Sequence, residues 1–409
     1  MNASIPHAPM SQFVSDGEEL LVNGIALSRL AARVGSTPFY AVDRGLLTQR
    51  VQALRAALPA GLKLHYAMKA NPMPALVQHM ARLVDGIDVA SAGELLVALD
   101  AGADPHEVSF AGPGKRDAEL VQAVASGVLV NVESQRELPV LAQASQTLGL
   151  PARVALRINP DFELKGSGMK MGGGPKQFGV DVEAVPEVLA AVARLGLAFE
   201  GFHLFAGSQN LKADAIAEAQ SKSFDLAVRF ADFAPSPVRF LNLGGGFGIP
   251  YFPGEQALDL APIGDNLAAL QERARDVLPQ AELVIELGRY LVGEAGLYVT
   301  RVVDRKVSRG QTYLVCDGGL NHHLSASGNF GQVIRKNYPV TVGNRLSAPR
   351  EVQTVVGPLC TPLDLLADRM ALPRADVGDL VVVFQSGAYG ASASPARFLG
   401  HPPVTEVLV

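Results

Sequence analysis

The feature that most restricts what this chain can fold into is a rhythm of eight short apolar runs, most of them followed by a segment of helical period. The runs lie at 64–69, 87–90, 108–112, 128–132, 154–159, 199–205, 238–243 and 283–287. Helical patterns stand between most of them, at 75–83, 93–100, 118–125, 185–195, 214–233 and 263–277. Parallel strands cannot be joined by tight hairpins and need such crossovers, and eight strands joined this way close into a barrel. After residue 290 the character changes: runs at 298–303, 312–316, 339–342, 352–356, 380–384 and 404–409 look like strands with little helix between them. The expected fold class is therefore α/β, a (β/α)8 TIM barrel with a second, β-rich domain of sandwich or barrel-like form. The expected divisions are an N-terminal segment, 1–37, packing with the β domain, a barrel over 38–290 and the β-rich domain over 291–409.

Composition narrows the function classes. With 409 residues, 48% hydrophobic and 18% charged, the chain can fill two cores. A net charge of -5 with scattered lysines and arginines argues against nucleic acid, which demands a concentrated basic face. No basic start precedes an apolar run, and no stretch keeps about eighteen apolar residues, so neither export nor membrane spanning is expected and the cytoplasm is the default. Cys316 and Cys360 make no disulfide framework and no zinc spacing, and free thiols are expected.

In barrels of this kind the chemistry sits at the carboxyl ends of the strands. Unusual polar residues fall there: Lys69 at the end of the first run, Asp88 in the second, Arg157 and Asn159 in the fifth, His203 in the sixth, Gly244-Gly245-Gly246 after the seventh, and Glu286 and Arg289 at the eighth. Each alone has an ordinary explanation. Lys69 could snorkel to solvent, His203 could be a satisfied core histidine, Arg157 a structural ion-pair partner, and Glu286 a strand-end partner of Arg289. Together they point to one site. By strand alternation Lys69 shares a face with the small Ala67 at the strand's end, where a desolvated ammonium loses its proton and the free amine condenses with an aldehyde. The glycine turn leaves backbone amides open where barrels place phosphates, and Arg289 adds positive charge. A lysine and a phosphate cradle on one rim suggest pyridoxal 5'-phosphate as cofactor. Glu286 would then keep the pyridine nitrogen protonated, His203 would stack on the ring and Ser208 would bond the phosphate.

The motifs that carry a family likeness run from about residue 35 to the end: Tyr66-Ala67-Met68-Lys69-Ala70-Asn71, Asp88-Val89-Ala90-Ser91-Ala92-Gly93-Glu94, Gln177-Phe178-Gly179, Gly201-Phe202-His203-Leu204-Phe205-Ala206-Gly207-Ser208-Gln209, Gly244-Gly245-Gly246-Phe247, Glu286-Leu287-Gly288-Arg289, Gly357-Pro358-Leu359-Cys360 with Asp364, and Gly387-Ala388-Tyr389. In this order and spacing the set resembles the fold-type III pyridoxal-phosphate decarboxylases, the group of diaminopimelate, ornithine and arginine decarboxylases. The resemblance implies that Lys69 holds the cofactor and that Asp88, Arg157, His203, Ser208, Gly244, Gly245, Gly246, Glu286, Gly288, Arg289 and Tyr389 surround it. It also implies a head-to-tail homodimer whose site borrows Cys360 from the other subunit as proton donor to the α-carbon. Arg289, Thr361, Asp364 and Tyr389 are the expected substrate contacts.

Departures bear on substrate. Amine-specific members carry an acidic residue directly after the thiol, and this chain has Thr361-Pro362-Leu363-Asp364. Unless Asp364 reaches over, a distal ammonium finds no counter-charge, so a basic diamino substrate is disfavoured. The glycine-rich loop 165–176, with Lys165, Lys170 and Lys176, is either a solvated connector or a basic lid, and the lid resembles the branch of the family that decarboxylates an amino acid held on an acyl-carrier protein. His322-His323 lacks further metal ligands, and no metal is expected. The competing readings are an amino-acid racemase of the same fold and a non-catalytic pyridoxal-phosphate-binding paralogue.

Overall fold

The computed structural model describes residues 6–166, 168–330, 332 and 334–409 and divides into two compact units. One unit spans 50–249 and 258–290, and the other 250–257, 291–409 and the described part of 1–49.

In the first unit eight strands form a closed parallel barrel: Lys63–Ala67, Gly86–Val89, Val108–Phe110, Leu129–Val132, Arg153–Asn159, Ala198–Leu204, Phe240–Gly245 and Glu282–Leu287. Each pairs with the next, and the eighth returns to the first with Ile285 opposite Leu64. All eight expected runs are strands. Helices cover them, so residues on both faces are buried, and residues such as Leu64, Ile87, Val130, Leu156 and Val284 are almost wholly inaccessible. The helices start and stop where local chemistry dictates. Ser91 Oγ accepts from the Glu94 amide at 3.2 Å to cap Ala92–Asp100, and Gly127 closes Asp117–Ser126 at a φ of 72° that glycine tolerates without cost. A polar row crosses the barrel interior: His65 Nδ1 lies 3.0 Å from Asp88 Oδ1, Ser109 Oγ donates to the same oxygen at 2.6 Å, and Asn131 Nδ2 donates to Ser109 Oγ at 3.1 Å.

The second unit is built on a mostly antiparallel sheet whose long strand, Gly296–Ser308, pairs with Gln311–Cys316 through a two-residue turn. Arg309 and Gly310 both have positive φ, 50° and 82°, the conformation that matches strand twist in such turns. Arg350–Val356 and Leu365–Pro373 continue the sheet on one side, and Leu380–Val383 and Val340–Val342 on the other. Phe39–Val42, which the expected boundary at 38 assigns to the barrel, instead lies antiparallel to Gly296–Val299 and parallel to Thr405–Leu408. Its physical reason is burial on both faces by partners far away in sequence. Phe39 and Ala41 join Phe13, Leu27, Leu30, Leu297, Val299 and Val382 in this unit's core. Among the described residues no helix is long and apolar enough to cross a membrane, and no group of three or more metal-ligating side chains occurs.

Candidate active site

The carboxyl ends of the barrel strands collect the polar residues expected there, with corrections of detail. The first strand ends at Ala67, and Lys69 sits in a following turn of 3-10 helix, Met68–Ala70, held by the Asn71 amide donating to Met68 O at 3.0 Å and by Tyr66 Oη donating to Asn71 O at 2.8 Å. Strand alternation therefore does not apply to Lys69. Its side chain is exposed rather than desolvated, with Nζ 5.5 Å from the centroid of the Phe205 ring. Gly288 explains how the eighth strand's end comes so near this turn: a Cβ there would stand 2.9 Å from Ala70 Cβ and 3.0 Å from Ala67 O.

Glu286 is buried, with Oε2 3.0 Å from His203 Nε2 and 3.0 Å from Asn242 Nδ2, which donates to it. Burial alone would push this carboxyl up, but the His203 charge, helped by Lys69 and Arg157, outweighs it and holds the group well below the usual carboxylate range. Glu286 is thus an anion among cations, paired with His203 rather than with Arg289. His203 Nδ1 is buried without a partner among the described residues.

Arg157 is fixed by Glu133, whose Oε1 accepts from Nη1 at 2.8 Å, and its guanidinium lies 5.1 Å from the Phe178 ring centroid. Glu133 also accepts from the Gly112 and Gly179 amides at 2.5 and 3.1 Å, and Lys115, itself paired with Glu137 at 3.1 Å, stands beside it. Glu133, Lys115 and Asn242 escaped the sequence reading. The usable signal for Glu133 was its place directly after the fourth strand, the same rim position that drew notice elsewhere.

The glycine turn after the seventh strand is locked to the loop after the sixth. Asn210 N donates to Gly246 O at 2.9 Å and Gly248 N to Asn210 O at 2.8 Å. A Cβ at Gly246, where φ is 80°, would stand 2.4 Å from Gly207 O, and one at Gly244 2.6 Å from Leu204 O. This close approach brings Ser208, in the short strand Gly207–Ser208, beside the turn, with its Oγ buried and unpartnered among the described residues. That strand pairs with the backbone of Met169–Lys170, tying down the loop after strand five. In the same loop Lys165 lies 3.7 Å from Glu218, while Ser167 falls outside the described residues. Arg289 opens a short helix, Arg289–Val292.

These residues fit pyridoxal phosphate. Orphaned buried donors and acceptors at Ser208 Oγ, His203 Nδ1 and Asp88 Oδ2 surround a rim that also holds a primary amine, a low-pKa carboxylate and a glycine turn.

In the second unit Cys360 is exposed, whereas Cys316 is buried and burial pushes its thiol far up. Asp364 is 3% exposed; its Oδ1 accepts from Leu320 N at 2.6 Å and its Oδ2 from Leu359 N at 2.8 Å, and burial raises its carboxyl above the usual range. Both oxygens hold the turn that bears Cys360 and Thr361, so the carboxylate is engaged within its own unit. His322 Nε2 is 2.8 Å from Pro402 O and His323 Nε2 2.9 Å from Ser386 Oγ, placing both in the packing of this unit. Tyr389 has a φ of 52°, and its carbonyl accepts from Ser325 Oγ at 3.0 Å.

Comparison with known proteins agrees with this chemistry. The family model for the pyridoxal-dependent decarboxylase pyridoxal binding domain matches residues 44–293. L-glutamyl-[BtrI acyl-carrier protein] decarboxylase of Niallia circulans is 40% identical over 91% of this chain and 88% of its own length. Diaminopimelate decarboxylase of Aquifex aeolicus is 34% identical over 96% and 91%. The solved diaminopimelate decarboxylase of M. jannaschii in complex with L-lysine superposes with a TM-score of 0.87 at 25% identity, covering 97% of this chain and 92% of that one. A lone lysine or glycine turn would leave the reaction open, but the whole rim and the whole chain agree, and the protein belongs to the pyridoxal-phosphate-dependent fold-type III decarboxylases, the family of diaminopimelate and ornithine decarboxylases.

Proposed function

We propose that this decarboxylase acts on an amino acid lacking a distal ammonium and presented on an acyl-carrier protein, in a cytoplasmic homodimer whose active sites are shared. The supporting observation is the state of Asp364. It is the one acid in the turn after the thiol, and both its oxygens are taken by backbone amides. With Asp364 3% exposed and turned to its own backbone, a second substrate ammonium there would find no accessible carboxylate to pair with directly, at a cost of about 3–5 kcal/mol. The Niallia circulans relative, which is a glutamyl carrier-protein decarboxylase, supports the same substrate class.

Pyridoxal phosphate, when bound, supplies an electron sink for the pair left on the α-carbon as carbon dioxide departs. Lys69 would hold the cofactor covalently, and Ser208, the 244–246 turn, Arg289 and Tyr389 would hold its phosphate. Glu286, kept ionised by its cationic neighbours, would hold a proton on the pyridine nitrogen. His203, 3.0 Å from Glu286, would orient that carboxylate and offer its ring for stacking on the cofactor. Arg157 adds positive charge near Glu286 and is positioned by Glu133. The exposed Cys360 thiol would protonate the α-carbon in the partner's site, so the carboxyl group is replaced by one proton. A racemase of this fold is expected to set arginine where Glu286 stands, and the relatives compared above are decarboxylases.

The deciding experiment follows carbon dioxide release from glutamate thioester-linked to a carrier protein and from free glutamate, lysine and diaminopimelate. Faster release from the tethered substrate is expected. Equal rates with free lysine or diaminopimelate and no gain from tethering would refute the assignment.

A further inference from the structure

Four cations of the β-rich unit, Arg335, Lys336, Arg350 and Arg369, meet at one groove whose lining, among the described residues, holds a single carboxylate, Asp368. The groove has a volume of about 820 Å³ and its charged lining is Arg335, Lys336, Arg350, Arg369 and Asp368. Among the described residues Arg335 donates to neutral acceptors, Ser327 O, Asn337 Oδ1 and Leu365 O, at 3.2, 2.7 and 3.0 Å. Arg350 donates through Nε and Nη2 to Ala371 O at 3.2 and 2.9 Å. Lys336 Nζ lies 5.6 Å from the Phe252 ring centroid and has no ion pair among the described residues. Among the described residues Asp368 pairs with Arg369 at 3.1 Å, and its charge also acts on Arg335. In a chain of net charge -5 this leaves a local surplus of three positive charges on one concave surface. Four like charges set against one acid repel one another, so the arrangement costs stability unless something negative comes to meet it.

The groove is also built firmly and well placed. Asn337 Nδ2 donates to Asp368 O at 2.8 Å and accepts, through Oδ1, from Asp368 N at 2.9 Å, clamping 335–337 onto the strand Leu365–Pro373. That strand leaves the turn bearing Cys360, and Arg369 lies four residues along it from Leu365, about 13 Å at strand rise. Two of the guanidinium groups are held by backbone carbonyls, so little side-chain freedom would be lost on contact. A surplus of three charges is too small for nucleic acid but matches a small acidic protein surface.

We infer that this groove docks the acidic face of the carrier protein that delivers the substrate. The inference rests on the carrier-linked substrate proposed above and adds where the carrier binds. Because a rim charge governs encounter more than chemistry, the groove sets KM for the tethered substrate and leaves turnover of a free amino acid untouched.

The test uses the cofactor-loaded enzyme with glutamate on a carrier protein and with free glutamate. For the double variant Arg350→Glu, Arg369→Glu, KM for the tethered substrate should rise about tenfold with kcat within about twofold, and kinetics on free glutamate should not change. Raising salt from about 50 to 300 mM should raise the wild-type KM and leave the variant's nearly flat. Lys336→Glu, which removes no backbone hydrogen bond, repeats the test if the double variant folds poorly. An unchanged KM in both variants overturns the docking site while the carrier-linked substrate stands. A wild type that gains nothing from tethering overturns both.

Discussion

Replacing Asp364 separates a structural carboxylate from a substrate-reading one. It is 3% exposed and accepts two backbone amides, from Leu320 at 2.6 Å and Leu359 at 2.8 Å. Asp364→Ala orphans both donors, at about 1–3 kcal/mol each; less the relief of no longer burying a charge, the loss comes to about 2–4 kcal/mol. Asp364→Asn keeps the shape but offers an acceptor to only one amide and turns its own NH2 toward the other, a loss of about 2 kcal/mol. The neighbouring Gly319 and Gly357 show how little room there is for a rearranged side chain, since a Cβ on either would stand 2.0 and 2.3 Å from the carboxylate. Urea unfolding should show the midpoint falling in the order wild type, Asn, Ala. Carbon dioxide release from Asp364→Asn should keep the wild-type ratio of kcat/KM between glutamate and diaminopimelate. An Asn variant of undiminished stability whose ratio shifts more than about tenfold would refute the assignment of Asp364 to the fold.

Lys69→Ala should fold normally but, once excess pyridoxal phosphate is removed, carry no protein-bound imine band, whereas the wild type should keep the band until borohydride reduction erases it. Cys360→Ala should keep that band and release product slowly or of altered composition; normal turnover removes the thiol from the mechanism. Glu133→Ala strips Arg157, and the Gly112 and Gly179 amides, of their acceptor and should destabilise the barrel by about 3–5 kcal/mol in urea, with kcat reduced. Burial brings His323 down to about 3 from 6.5, so the folded state binds fewer protons than the unfolded state between those values and stability must fall as pH drops from 6.5 toward 3. His323→Phe should flatten that acid slope in pH-dependent thermal unfolding.

The barrel was legible because each of its strands is buried on both faces and each crossover helix repeats the same local period, so the signal is present eight times over. Side-chain partners were less legible. Lys69 fell on a strand face by alternation, yet the chain had already left the strand at Ala67 and turned through 3-10 geometry before Pro72. Asp364 looked available for substrate because nothing in Thr361-Pro362-Leu363 shows that the Leu320 amide will arrive from forty-four residues away. Phe39–Val42 misled for the same reason. Its apolar residues are those of any buried strand, and its partners, Gly296–Val299 and Thr405–Leu408, are set by tertiary structure alone.

That strand has a consequence for synthesis. The β-rich unit draws residues from both sides of the barrel sequence, so the barrel is in effect an insertion between two halves of its host. A ribosome finishes 50–249 and 258–290 while Phe39–Val42 still waits for Gly296–Val299 and then Thr405–Leu408. Until those late segments emerge, Phe39 and Leu27 have no complete core to enter, and the nascent chain carries a greasy, open-edged leader for a chaperone to shield.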